Sequence, residues 1–299
     1  MGSSDMSTHA KKPVLILIGM VLITAVIIAA IIVSVTGKKP ETGNQSYASA
    51  SDLGQIYQPS STKAQSEAPT VSGWNEIDSQ WVYCDENGVH LTGKHIIDGE
   101  VFRFDENGVS ETGRTGSLPK VAVIGDSLAE TLGDNDVAGS NYDFYGKVNL
   151  HVDTIFTKSV SGSSRTVIDE VRDRDYDIVI IILGENDLTY NGSAWAEMYR
   201  DVINGVKERA PGAAVYAQAV FPINESRASA NGNPETMSEI SAINQIIARV
   251  AQEEGITYLD PTAEMVDSDG QLPYDAAADG IHLGVDYSRI WYEWVQKAL

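Results

Sequence analysis

Apolar positions fall into three regimes along the chain. From Pro13 to Val35, Leu, Ile, Val and Ala dominate and no residue is charged. As a helix this stretch would be about 35 Å long, enough to span a membrane. From Gly73 to Gly113, short β-favouring runs alternate with Asp, Asn and Gly turns. Beyond residue 119, apolar runs of strand length alternate with helical patterns. The strand runs are Val121–Ile124, Thr154–Val160, Ile178–Leu183, Ala213–Val220 and Ile256–Leu259; the helical patterns lie near Asp169, over Ala194–Arg209, Met237–Glu254 and Tyr287–Lys297. Strands apolar throughout, separated by helices, predict a parallel sheet of about five strands with helices on both faces, a three-layer α/β/α domain.

These regimes predict five segments: a cytoplasmic tail (1–12), a transmembrane anchor (13–35), a flexible linker (36–72), a β-hairpin module (73–113) and an α/β domain (119–299). A cleaved signal peptide is the competitor for the anchor, but the nearest small-x-small site, Ala48-Ser49-Ala50, lies well beyond the apolar run. Lys11 and Lys12 are balanced by Lys38 and Lys39, so flanking charge does not set the orientation. The linker is rich in Ser, Thr, Gln, Ala and Pro, and its mean reach is on the order of 30 to 35 Å.

Charge removes one class of partner. The formal net charge of −21 excludes a nucleic-acid-binding protein, which needs clustered Lys and Arg. Cys84 is the only cysteine, so there is no internal disulfide and no cysteine-based metal site.

The module is an internal repeat of 20-residue period. Trp81-Val-Tyr-Cys-Asp-Glu-Asn-Gly88 is echoed by Val101-Phe-Arg-Phe-Asp-Glu-Asn-Gly108, with Thr-Gly closing each copy. Each copy reads as a hairpin, its Asn-Gly supplying the positive φ values of a tight turn. The pattern resembles the cell-wall-binding repeats, of choline- or glucan-binding type, of Gram-positive surface proteins. That resemblance implies an extracellular C-terminal part, hence a single-pass protein with its N-terminus inside the cell. It also implies a wall-ligand surface made by Trp74, Trp81, Tyr83, Phe102 and Phe104, suited to a quaternary ammonium or to sugar rings. Lys94-His95 stands where a second Gly-Trp belongs, and Cys84 and Arg103 replace aromatics. A spacer whose rings pack on one another has equal claim.

Four polar segments fall at predicted strand ends or turns in the α/β domain: Gly125-Asp126-Ser127-Leu128, Gly162 within Val160-Ser-Gly-Ser-Ser164, Gly184-Glu-Asn186-Asp187, and Asp279-Gly-Ile-His282. The ends of strands in open α/β sheets are where ligands bind. Together, in this order, they resemble the four motif blocks of the SGNH, or GDSL, hydrolases, and the resemblance covers residues 119 to 299. It implies a flavodoxin-like fold with Ser127 as nucleophile, His282 as base and Asp279 as its orienter. It places the oxyanion donors at the backbone N–H groups of Ser127 and Gly162 and the amide of Asn186. The chemistry is coherent: a serine hydroxyl needs a base, neutral imidazole suits that near pH 7, and a carboxylate fixes its tautomer.

Outside the blocks, Tyr190, Trp195, Phe221 and Asn224 follow strand ends and are candidates for lining a substrate pocket, and Asn224–Glu235 reads as a mobile polar lid. Asp126 is assigned to shaping the turn. His151 lacks a patterned carboxylate and is read as structural. Asp267-Ser-Asp-Gly270 hints at a calcium loop, but position 278, where the closing Glu belongs, is Ala. No metal or cofactor is expected. The expectation is a membrane-anchored extracellular serine esterase removing acetyl or other short acyl groups from wall or other polysaccharides. Alternatives with the same triad are a surface O-acetyltransferase and a lysophospholipase or thioesterase; a non-catalytic wall-binding protein is the remaining one.

Overall fold

The computed structural model describes residues 71–190 and 192–299. The expected tail (1–12), anchor (13–35) and nearly all of the linker lie outside the described residues. Among those described, no helix is long and apolar enough to cross a membrane.

The module consists of two antiparallel hairpins, β1 (Gly73–Ile77) with β2 (Gln80–Cys84) and β3 (Gly93–Ile97) with β4 (Glu100–Phe104). Their tight turns are not the Asn-Gly pairs. Register places Ile77 opposite Gln80 and Ile97 opposite Glu100, leaving two-residue loops at Asp78-Ser79 and Asp98-Gly99, all with positive φ, as mirror-image hairpin turns require. The Asn-Gly pairs instead close wider turns after β2 and β4. There the Asp85 and Asp105 carboxylates accept the N–H groups of Asn87 and Val89, and of Asn107 and Val109. Those hydrogen bonds, led by the ones from Val89 and Val109, hold both exposed carboxyls below their ordinary range. Trp74 anchors the aromatic face, with ring centroids 5.3 Å from Tyr83 and 4.8 Å from Phe102.

The α/β domain has one parallel five-stranded sheet: β5 (Val121–Gly125), β6 (Tyr142–Gly146), β7 (Ile178–Ile182), β8 (Ala214–Gln218) and β9 (Thr257–Leu259), in the order β6-β5-β7-β8-β9. Counted within the domain this is 2-1-3-4-5, the flavodoxin-like order, whose switch point lies between β5 and β7. Every residue of β5 and β7 is buried, which requires cover on both faces. Burying each Val or Ile side chain is worth roughly 1.5 to 3 kcal/mol. The helices are α1 (Ser127–Asp134), α2 (Ser193–Arg209), α3 (Glu225–Ala230), α4 (Met237–Glu253) and α5 (Val285–Ala298). A capping box at Thr236 and Glu239 starts α4.

Two elements differ from expectation. The strand expected over 154–160 is absent. Thr154–Phe156 is a short 3-10 helix, because Thr154 exchanges side-chain hydrogen bonds with the backbone of His151 and closes a turn there. The fifth strand is β6, an edge strand whose three middle residues are only half-buried and whose apolar signal is broken by Asp143. The helix near Asp169 is a 3-10 segment, Val167–Val171.

Module and sheet meet at the strands' N-terminal ends. Lys94 Nζ lies 3.0 Å from Asp177 Oδ1, the other oxygen of which accepts the Lys120 N–H at 2.9 Å. Ile96 packs against the main core.

Candidate active site

The site is assembled at the opposite, C-terminal edge of the sheet. Strand β5 ends at Gly125, where a Cβ would lie 1.7 Å from the Ile182 carbonyl oxygen, so only glycine lets β5 and β7 pair this closely. Asp126 then caps α1, its Oδ1 accepting the Leu128 N–H at 3.0 Å. Ser127 is the first helical residue. Its N–H has no intrahelical acceptor and sits at the positive end of the helix dipole.

His282 approaches from the loop before α5. Its Nε2 is 2.9 Å from Ser127 Oγ and its Nδ1 is 2.6 Å from Asp279 Oδ2. Asp279 Oδ1 also accepts the N–H groups of Ile281 and His282. Partial burial works against ionising Asp279, but the hydrogen bonds from the His282 side chain and these two amides outweigh it and hold the carboxyl below its ordinary range. This turn rests on α3. Asn224 N–H donates to the Gly280 carbonyl, and a Cβ at Gly280 would strike Ala228 N at 2.4 Å. Arg227 donates to the carbonyls of Ala278 and Tyr274.

Asn186 lies in a 3-10 segment, Glu185–Tyr190, directly after β7. Its amide donates one N–H to the Leu150 carbonyl at 3.3 Å, leaving the second for a ligand. Gly162 has φ +80° and open space where a Cβ would stand. A cleft of about 500 Å³ brings together Ser127, His282, Asn186, Glu130, Glu185 and Glu235. Gly162 does not line it. The neighbouring Val160 and Ser161 line a second cleft of about 710 Å³ along β6, which shares Glu130 and Asp134 with the first.

The pocket residues expected from sequence are placed elsewhere. Trp195 is fully buried in α2 and stacks on Tyr199 at 5.0 Å; Phe221 is likewise core. Both are large apolar side chains gaining more from the core than from a wet cleft. Asn224 caps α3, its Oδ1 taking the Arg227 N–H and its Nδ2 donating to the Leu272 carbonyl, and it lines neither cleft. Tyr190 is exposed and lines neither cleft. The polar stretch 224–235 is helical in its first half rather than a free loop, although Asn233 and Glu235 reach the cleft.

Sequence reasoning missed the acidity of the cleft. Burial first, then the negative charges of Asp126 and Glu235, push Glu185 up to about 7. Glu235 Oε2 is buried with no hydrogen-bond partner among the described residues. Asp126 is raised to about 7 by complete burial, against the lowering effect of the N–H groups it accepts. It missed as well the partner of His151, whose Nδ1 lies 2.8 Å from Asp187 Oδ1. The signal was Asp187, inside the Gly-x-Asn-Asp block.

The aromatic set of the module packs mainly on itself. Phe102 and Phe104 are buried, and the Arg114 guanidinium lies over the rings of Trp81 and Trp74 at 5.1 and 5.9 Å.

Comparison with known proteins brings two family models. That of the GDSL-like lipase/acylhydrolases matches residues 123–289, and that of the choline-binding repeat matches 71–109. No curated protein sequence matches the chain. Among solved structures, a Streptococcus pneumonia protein provisionally named a platelet activating factor is 16% identical, with a TM-score of 0.50, over 60% of this chain and 83% of its own. A GDSL-like lipase from Bacteroides thetaiotaomicron is 20% identical, with a TM-score of 0.43, over 60% and 88%. A catalytic mutant of an acetylxylan esterase from Geobacillus stearothermophilus is 14% identical, with a TM-score of 0.43, over 62% and 95%.

Proposed function

Because the chain belongs to the GDSL-like lipase/acylhydrolase family, and is thus a hydrolase of carboxylic esters, we propose that it works through an acyl-Ser127 intermediate. The observation that carries this is the continuous hydrogen-bonded line from Ser127 Oγ through both ring nitrogens of His282 to Asp279 in an open cleft. Ser127 Oγ attacks the ester carbonyl carbon while His282 Nε2 takes its proton, and Asp279 stabilises the imidazolium. The donors we assign to the tetrahedral oxyanion are the Ser127 N–H and the free N–H of Asn186 in the cleft, with the Gly162 N–H from the loop beside it, each worth about 3 to 4 kcal/mol. Collapse expels the alcohol, which leaves with the proton from His282. Water then repeats the sequence on the acyl-enzyme and releases the acid.

The acyl group is acetyl or similarly short, and the alcohol is a wall or other polysaccharide. Two observations support this substrate: the match to the choline-binding repeat, and a cleft lined, among the described residues, by four carboxyl groups, Glu130, Asp134, Glu185 and Glu235, and by neither Lys nor Arg. A cleft of that sign disfavours anionic lipid headgroups and admits uncharged glycans. The apolar segment 13–35 would hold the enzyme in the membrane with its catalytic domain outside the cell.

The full chain in detergent should hydrolyse p-nitrophenyl acetate and release acetate from O-acetylated wall glycan. Ser127→Ala and His282→Ala should remove both activities. Unchanged rates in either variant would refute the triad; acetylated acceptor in place of free acetate would identify an acetyltransferase.

A further inference from the structure

Among the described residues three acidic residues are almost wholly buried: Asp126, Glu170 and Asp187, at 0%, 1% and 3% exposure. A buried carboxylate is costly unless its oxygens are hydrogen-bonded. Each of the three lies in, or bonds to, a segment that carries one of the proposed oxyanion donors. Asp126 Oδ1 takes the Leu128 N–H beside Ser127, and its Oδ2 takes those of Gly184 and Glu185, tying the nucleophile turn to the Asn186 segment. Asp187 Oδ1 and Oδ2 take His151 Nδ1 at 2.8 Å and the Val152 N–H at 2.9 Å. Glu170 accepts the hydroxyl of Ser163, the neighbour of Gly162, and is paired with Arg174 at 2.9 Å.

The Asp187 connection closes a ring. Asp187 follows Asn186 directly, and its two bonds fix the segment His151–Val152. That segment begins one residue after Leu150, whose carbonyl accepts one N–H of the Asn186 amide. The orientation of that amide, and so the direction of its second N–H, depends on where the Leu150 carbonyl is held. His151 and Asp187 hold it.

We propose that His151 and Asp187 are positioning residues for the oxyanion amide of Asn186, with Ser163 and Glu170 as their counterpart for the Gly162 N–H. Neither pair touches the reacting atoms; each fixes the direction of a donor that strengthens its bond in the transition state. This rests on the acyl-serine mechanism proposed above. A small misdirection of such a donor costs up to about 100-fold in rate. Because the donor acts on the transition state rather than the bound ester, the loss should appear in kcat with KM little changed.

The test is a double-mutant comparison on the full chain in detergent, with p-nitrophenyl acetate as probe. Asp187→Asn should lower kcat about 10- to 100-fold with KM within about threefold. In the Asn186→Ala background the same change should add less than about twofold, since the donor it positions is gone. Ser163→Ala, acting through Gly162, should lower kcat equally in both backgrounds. His151→Ala, at a side chain 40% exposed, repeats the test should Asp187→Asn not fold, and His151→Asn, which restores a donor to Asp187, should recover part of the loss. Equal losses from Asp187→Asn with and without Asn186 would overturn the positioning role alone. An unchanged kcat in Asn186→Ala would overturn the oxyanion assignment and the positioning role together.

Discussion

Glu185→Gln is the most revealing single change to the cleft's electrostatics. In the folded protein the Glu185 carboxyl is raised from 4.5 to about 7, chiefly by burial and then by Asp126 and Glu235. The unfolded chain loses that proton near pH 4.5, whereas the folded chain keeps it until about pH 7. Stability therefore falls as pH rises between these limits, and the penalty is complete above the upper one. A rise of this size corresponds to about 3 kcal/mol; solvent at the cleft mouth reduces it, so about 1 to 3 kcal/mol is expected. Glutamine keeps the shape and cannot ionise. At about 2 to 4 °C per kcal/mol for a domain of this size, the variant should melt about 2 to 12 °C above wild type near pH 8. Near pH 5 that gain should shrink to a small residue. Calorimetry of both proteins at the two pH values gives the difference directly. A gap between variant and wild type that does not change with pH would refute the assignment of the penalty to Glu185.

Two further outcomes are expected. Gly125→Ala places a methyl 1.7 Å from the Ile182 oxygen; it should cost about 3 kcal/mol or more and impair esterase activity, because the same carbonyl receives the Asp126 N–H. Gly212→Ala, whose nearest neighbour would be Lys94 Nζ at 3.8 Å, is the control, and equal melting points for the two variants would refute the steric argument. Arg114→Gln should uncover the Trp74 and Trp81 faces and raise retention on a quaternary-ammonium matrix by a cation–π contribution of about 0.5 to 1 kcal/mol; unchanged retention would mean that Arg114 does not shield them.

What could be read from sequence follows the range of the interactions involved. Strands β5 and β7 were legible because both faces are buried and every position had to be apolar. Strand β6 was not, because an edge strand with one covered face tolerates Asp143, while the apolar Thr154-Ile-Phe run nearby was captured by local turn bonds at His151. The Asp279 and His282 pair is local, three residues apart, and carries its own geometry. The partnership of His151 with Asp187 spans 36 residues and exists only once the sheet has brought two loops together. Trp195 and Phe221 misled because position after a strand end says which loop a residue follows, not whether its side chain turns toward the core.

The junction at Asp177 has a consequence for how the protein can be used. Lys94 and Lys120 both bind this one carboxylate at the start of β7, whereas Ser127 and Asn186 stand past the far ends of β5 and β7. Five residues of strand, about 17 Å, separate the two ends. Any polymer held at the hairpins would therefore not compete for room with an ester at the serine. The hairpin junction and the serine stand at opposite ends of the same strands, so a ligand on the module would leave the ester's path to Ser127 open.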